Sequence, residues 1–296
     1  MQMQQTKGII LAGGYGSRLY PLTYGVSKQL IPVYDKPMIY YPLSTLLEAG
    51  IKEILIITKN EDSNSFKNLL GDGKKYGINI EYAIQERPGG IAEALIIGAN
   101  FIDKYNVSLI LGDNIFHGAK MKIFLKEAMM NLSYDFCTIF GVKVNNPSDF
   151  GVVELNPENE ILSIIEKPLN PLSKTIVSGL YFYPNNVLEI VSDLKPSKRG
   201  ELEITDVNSF YLEQKKLKMI DLSNNINWVD TGTYKSLIDA SNYFQNHEQK
   251  SRKKIACIEE LVYKMGYINK EQLIALANEM KSSEYGKYIL STLKND

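Results

Sequence analysis

Four short segments constrain the fold of this chain more than any other feature. They are "KGIILAG" (7–13), "EILIITK" (53–59), "IEYAIQ" (80–85) and "VSLILGD" (107–113). Each is apolar at nearly every position, not at alternate ones. A strand with one face in water alternates; a strand covered on both faces does not. Between these runs lie "MIYYPLSTLLEAG" (38–50), "NSFKNLLGDG" (64–73) and "IAEALIIGANFI" (91–102). Their patterns predict helices, the first ending at Gly50 as a C-cap. Strand and helix in alternation predict an α/β fold, a Rossmann-like and mostly parallel sheet with helices on both faces.

The pattern changes after about residue 134. "FCTIFGVKV", "GVVELN", "ILSIIEKP" and "IVSGLYFYP" follow one another with short polar connections, which predicts hairpins extending the sheet into a mixed one. A helix is expected at "TDVNSFYLEQKK" (205–216), and "LKMIDLS" is a late strand before "NWVDTGT". From about 247 the strand signal disappears. "NKEQLIALANEM" opens with Asn269 as N-cap and Gln272 three positions on, the spacing of a capping box. The expected organisation is a core over 1–246, with a hairpin region near 134–185, and a helical appendage over 247–296.

Charge and composition exclude some classes. Lys plus Arg is 33 and Asp plus Glu is 34, so no broad basic surface for nucleic acid is expected. Arg252-Lys253-Lys254 reads as a solvated helix face. The N-terminal "MQMQQTK" is polar, without a signal-peptide core, and no run of 18 apolar residues predicts a membrane span. Cys137 and Cys257 lack metal-ligand spacing and are expected to be reduced thiols in a cytoplasmic protein. His117 and His247 are too few for a histidine-rich metal site.

The first apolar run ends in "LAGGYGSRL" (11–19). A packed strand has no need of Gly13, Gly14 and Gly16, which suit either a tight structural turn or a bound phosphate. Backbone N–H groups converge at a strand-to-helix turn, and glycine lets them come close. A P-loop would end in Gly-Lys-Ser/Thr, whereas this turn ends Gly16-Ser17-Arg18. A dinucleotide fingerprint would carry a third glycine where Leu19 stands. Neither a P-loop ATPase nor an NAD enzyme is therefore supported. Lys28 follows ten residues after Arg18, and Pro21 and Pro32 argue against a continuous helix between them. A loop bringing both cations beside the glycine turn suits a triphosphate. Asp113 ends a buried-looking strand, where open α/β sheets bind ligands, and Asp230 follows an apolar pair in "NWVDTGT". Two carboxylates and phosphate oxygens form the usual Mg²⁺ environment. Spacing alone does not bring the two together.

These segments resemble the sugar nucleotidyltransferase family, specifically the glucose-1-phosphate thymidylyltransferases (dTDP-glucose pyrophosphorylases). The resemblance begins with "GIILAGGYGSRLYPLT" and "SKQLIPVYDKPMIYYPLSTLLEAGI". It continues through "LGDNIF", "FGVVEL", "IEKP", "SGLYFYP", "KPSKRGELEITDVN", "WVDTGT" and "CIEELVYKMGYI", covering nearly the whole chain. It implies a nucleotide-diphospho-sugar transferase fold and a homotetramer. It implies conversion of dTTP and α-D-glucose 1-phosphate to dTDP-glucose and pyrophosphate, the start of dTDP-rhamnose and related deoxysugar synthesis. By matching motif, Arg18 and Lys28 would hold the triphosphate and Asp113 and Asp230 the Mg²⁺. Leu11, Gly13, Gly14 and Gly16 would form the nucleotide bed, and Gln85 and Gly90 would meet the thymine. Gly151, Glu166, Lys167 and Val177 would line the sugar phosphate. The tail would sit near a second site where dTDP-rhamnose inhibits.

Three departures from the family pattern bear on these roles. Ser17 stands where threonine is common and Phe150 where tyrosine is frequent. "ERPGGIAEA" replaces the commoner "SPDGLAQA" in the base-reading loop. Thymine and uracil differ by one methyl, worth only about 1–3 kcal/mol in an apolar pocket. Use of UTP is therefore expected as well, and a UTP-using glucose-1-phosphate uridylyltransferase is the nearest alternative. A non-catalytic sugar-nucleotide sensor is the alternative from another class.

Overall fold

The computed structural model describes residues 5–293; residues 1–4 of the polar N-terminal segment lie outside them. The chain opens with β1 (Thr6–Ala12), a small ribbon of β2 (Pro32–Val33) and β3 (Lys36–Pro37), and α1 (Tyr40–Glu48). There follow β4 (Glu53–Thr58), α2 (Ser63–Leu70), β5 (Asn79–Ile84), and α3 (Glu93–Ile97) with α4 (Ala99–Ile102). Next come β6 (Asn106–Leu111), β7 (Asn114–His117), α5 (Met121–Leu132) and β8 (Cys137–Lys143). Strands β9 (Gly151–Leu155), β10 (Ile161–Glu166) and β11 (Thr175–Tyr183) precede α6 (Val187–Ser192) and α7 (Ile204–Glu213). Strands β12 (Leu217–Asp221) and β13 (Asn227–Asp230) lead into four helices: α8 (Tyr234–Ser251), α9 (Ile258–Lys264), α10 (Lys270–Glu279) and α11 (Glu284–Thr292).

The main sheet runs β10-β9-β11-β6-β1-β4-β5, with β8 beside β11 and β12 beside β8. Strands β6, β1, β4 and β5 are parallel, as the continuous apolar runs predict, while β11 pairs antiparallel to β6. Adjacent residues on β1 show why alternation is missing: Ile9 packs into the core on one face and Ile10 into the core on the other. The chain builds outward from β1 through β4 to β5, then returns to the opposite side of β1 as β6. A crevice opens at such a reversal, outside the carboxyl ends of β1 and β6.

Several details differ from the sequence expectation, among them Arg252-Lys253-Lys254, which lies past the end of α8 at Ser251, with Lys254 paired to Asp35 and Glu248 rather than solvated on a helix face. The helix expected over 91–102 is split into α3 and α4 at Gly98, which packs directly on β1; a Cβ there would come within 2.7 Å of Ile9 Cδ1. The segments "NIFH" and "NWVD" form a separate two-stranded ribbon, β7 with β13, for which no strand was expected. At 38–50 the helix ends at Glu48, and Gly50 follows with φ of 85°.

Helix α8 runs through residue 247, so the expected boundary there falls within a helix. The capping box at Asn269 and Gln272 is formed. Ile258, Val262, Leu273, Leu276 and Ile289 of the tail join the same core as Leu43 and Leu47 of α1. Each such fully buried aliphatic side chain contributes roughly 1.5–3 kcal/mol, so the tail is an integral layer. Buried Lys36 lies 3.3 Å from Glu248 and also pairs with Asp35, and Lys254 bonds both carboxylates. Tyr285 and Tyr288 tie α11 to α9 by donating to Glu259 Oε2 (2.8 Å) and Glu260 Oε2 (2.6 Å). Both cysteines are buried free thiols. Among the described residues, no helix is long and apolar enough to cross a membrane.

Candidate active site

The glycine turn leaves β1 at the crevice. Gly16 sits at φ 63° and opens a short 3-10 turn, Ser17–Leu19. Its left-handed backbone and crowded flank suit glycine: a Cβ would meet Thr23 Cγ2 at 3.0 Å and Lys28 Cβ at 3.2 Å. Leu19 is buried among Ile31, Met38 and Ile115 and pins the turn from below. Arg18 is left exposed on top, while Lys28 begins a second 3-10 turn and is buried.

Sequence could not bring Asp113 and Asp230 together, but the small ribbon does. Strands β7 and β13 pair with Asp230 opposite Asn114, and Thr231 Oγ1 donates to the Asp113 carbonyl at 2.9 Å. Lys28 Nζ consequently lies 2.5 Å from Asp113 Oδ2 and 4.0 Å from Asp230 Oδ1. Arg18 lies against Gly232 and Asp230: a Cβ on Gly232 would be 2.9 Å from Arg18 Nη2 and 3.0 Å from Asp230 Oδ2. All four charged groups expected to act together thus meet at one place.

Their electrostatics differ. Burial pushes the Asp113 carboxyl up, but Lys28 and the Asn114 amide outweigh it and hold it below the ordinary value. Burial, and next the Asp113 charge, push Asp230 up against the opposing pull of Lys28 and Arg18. A further cation at this spot, beside Lys28 and Arg18, would relieve both carboxylates. Among the described residues no set of three or more His, Cys, Asp or Glu side chains is arranged to hold a metal. Asp113 and Asp230 are the oxygen donors at hand.

Two hollows adjoin here and share Gly14 and Arg18. The smaller holds Gly16, Lys28 and Asp113. The larger, about 310 Å³, extends along the sheet edge past Leu11, Gln85 and Gly90 to Gly151, Glu166, Lys167 and Val177. Gly13 is buried beneath it, against the Gln85 side chain. At the far end, Glu166 faces Gly151 across the β9–β10 pairing. Thr205 Oγ1 donates to Glu166 Oε2 at 2.5 Å, and Lys167 Nζ stands 4.0 Å from Glu166 Oε1. Lys167 adopts φ 42°, with its N–H bonded to the Phe150 carbonyl at 3.0 Å.

Several lining residues escaped the sequence reading. Arg199 pairs with Glu203 at 3.3 Å and reaches Glu166 at 3.8 Å. Trp228 Nε1 donates to Asn114 Oδ1 (2.7 Å), and Asn114 Nδ2 donates to Asp113 Oδ1 (3.0 Å), so an indole in the cleft wall steadies a carboxylate. Arg199 and Thr205 lie in "SKRGELEIT", where an arginine inside a polar, glycine-containing loop ahead of a helix was the available signal.

A glycine turn at the sheet's switch point, flanked by two cations and two carboxylates and opening on a cleft lined by both charged and apolar side chains, defines a phosphate-handling transferase. The nucleotidyl transferase family model matches residues 7–247. The chain is 51% identical to a glucose-1-phosphate thymidylyltransferase of Neisseria meningitidis over 97% of its own length and 99% of the relative's. A glucose-1-phosphate thymidylyltransferase of Mycobacterium tuberculosis is 49% identical, over 98% and 100%. A solved UDP-glucose pyrophosphorylase complexed with UDP-glucose superposes with a TM-score of 0.70 at 25% identity, covering 82% of this chain and 99% of that one. The chain belongs to the nucleotidyl transferase family, in its glucose-1-phosphate thymidylyltransferase group.

Proposed function

We propose that this protein transfers a thymidylyl group from dTTP to α-D-glucose 1-phosphate, releasing pyrophosphate, in the first step of dTDP-rhamnose or related deoxysugar synthesis. One observation carries the reading: Lys28 lies between Asp113 and Asp230 at the foot of the glycine turn, with Arg18 above. Bare phosphate binding would need the cations alone. The paired carboxylates add a seat for a divalent ion.

The reaction is an in-line displacement. An oxygen of the sugar phosphate attacks the α-phosphorus of dTTP as the bond to the bridging oxygen breaks, and pyrophosphate leaves opposite. Repulsion between two anions is the main obstacle. Lys167 holds the attacking phosphate, Lys28 the α-phosphate, and the planar fork of Arg18 clamps the departing pyrophosphate. Gly13, Gly14 and Gly16 admit the phosphates to the main-chain amides, with Leu11 beneath. Gln85 and Gly90 meet the base; Gly151, Glu166 and Val177 position the sugar. No side chain has to take a proton, because a phosphate monoester is already ionised near neutral pH. Positioning and fixed charge supply the acceleration.

Asp113 and Asp230 suit Mg²⁺: hard oxygen donors, two in number, leaving positions for water and substrate oxygens. When bound, the ion would offset charge on the phosphate oxygens. Incubation with dTTP, glucose 1-phosphate and Mg²⁺ should yield dTDP-glucose, with none after EDTA; failure of every nucleotide and sugar-phosphate pair to release pyrophosphate would instead favour a sensor. UTP is an expected second substrate, since an amide such as Gln85 meets uracil and thymine alike. The family resemblance further supports a cytoplasmic homotetramer inhibited by dTDP-rhamnose near the tail. Velocity unchanged by dTDP-rhamnose would remove that control.

A further inference from the structure

Assigning Gln85 to the base leaves one question: which way its amide faces. The residue follows β5 and is buried. Two acceptors flank its nitrogen. Nε2 donates to Glu93 Oε2 at 2.7 Å and to the Gly90 carbonyl at 3.4 Å. The amide oxygen turns the other way, over the glycine turn, where a Cβ on Gly13 would lie 2.5 Å from Oε1. Glu93 is the first residue of α3, and its carboxyl lies over Gly89, where a Cβ would approach to 2.4 Å. The "PGG" turn thus makes room for the carboxylate beside Gln85.

An ionised carboxylate only accepts hydrogen bonds. Flipping the Gln85 amide would set its oxygen against the Glu93 carboxylate and the Gly90 carbonyl. We propose that Glu93 is a positioning residue that locks Gln85 with its oxygen toward the base, so that the cleft selects imide bases over cytosine. The inference rests on the reading that the cleft holds a pyrimidine nucleotide. Thymine and uracil present an N3–H donor, which Oε1 accepts. The second Nε2 hydrogen, now on the long contact to Gly90, is free to reach a base carbonyl. Cytosine has a lone pair at N3, so two acceptors would face each other. Reading it in the same position would need the flipped amide that Glu93 forbids.

The test compares kcat/KM for dTTP, UTP and dCTP at saturating glucose 1-phosphate. Glu93→Met and Glu93→Ala remove the acceptor; Glu93→Gln keeps the shape, but its amide can accept or donate and so no longer forbids a flipped Gln85. The dTTP-to-dCTP ratio should fall at least about tenfold in both removal variants, the scale of one mispaired base edge. It should fall by less in Glu93→Gln, where the Gly90 carbonyl still opposes the flip but the carboxylate does not. The KM for glucose 1-phosphate and the dTTP-to-UTP ratio should not move. Calorimetry with dTDP and dCDP reads the same preference without turnover, should a variant lose activity through folding. An unchanged ratio in both removal variants, or in Glu93→Gln, overturns the role of Glu93 and leaves thymidylyl transfer standing. Wild-type protein that takes dCTP as readily as dTTP overturns the selection of imide bases and the pairing of Gln85 with the thymine edge; wild-type protein that takes none of the three overturns the pyrimidine-nucleotide reading of the cleft.

Discussion

Replacing Thr205 by valine should weaken the sugar-phosphate end of the site and nothing else. Valine keeps the shape of threonine but has no hydroxyl. In the native protein Thr205 Oγ1 donates to Glu166 Oε2 at 2.5 Å from a position only 4% exposed. A hydrogen bond to a charged group is worth about 1.5–3 kcal/mol. The Glu166 side chain is 24% exposed and keeps Arg199 and Lys167 nearby, so water and these cations offset part of the loss. The lower end applies, about 1.5 kcal/mol, or roughly tenfold in kcat/KM. Pyrophosphate release would be followed with glucose 1-phosphate varied at saturating dTTP, then with dTTP varied. KM for glucose 1-phosphate should rise about tenfold while KM for dTTP holds. Thr205→Ser should recover most of the loss. A rise in both constants together, or none in either, would show that Thr205 does not orient Glu166 for the sugar.

Arg18→Ala should lower kcat by about 10²-fold or more if the guanidinium clamps the leaving group; near-normal turnover would take it out of the mechanism. Gly90→Ala should destabilise the fold, because Gly90 sits at φ 100° and a Cβ would lie 2.3 Å from the Leu202 carbonyl oxygen. A cost of at least about 2 kcal/mol, or roughly 5 °C in melting temperature, is expected together with a higher KM for dTTP; an unshifted melt would contradict this geometry. Burial and the neighbouring His247 push His117 down to about 4. Its folded value lies below its unfolded one, so neutral His117 contributes stability that is present above about pH 6.5 and lost as pH falls toward 4. After a discount for partial solvent access the contribution is about 1–2 kcal/mol. Thermal melts of His117→Phe should therefore lose less between pH 7 and pH 4.5 than wild type, and equal slopes would count against the assignment.

The legibility of the sequence followed the range of the interactions. Strands β1, β4, β5 and β6 announced themselves because burial on both faces leaves a local apolar record. The capping box at Asn269 is equally local. Arg18 and Lys28 were visible because one loop carries both. The meeting of Asp113 with Asp230 was not, since it depends on a ladder between β7 and β13, two strands of four residues each with no strong pattern of their own. The same holds for Arg199, Thr205 and Trp228, which reach the cleft from separate elements. The break at Gly98 was hidden because its cause, close packing on Ile9, lies on another element.

The claim on which the mechanism depends is direct attack by the sugar phosphate, with no enzyme-bound nucleotide in between. Turnover of a dTTP analogue bearing a chiral α-phosphorothioate measures this at the reacting atom. Inversion at the α-phosphorus is expected, since one in-line displacement reverses the centre once. Retention would mean two displacements and a covalent intermediate on the protein, and would contradict a site built only to position and neutralise two phosphates.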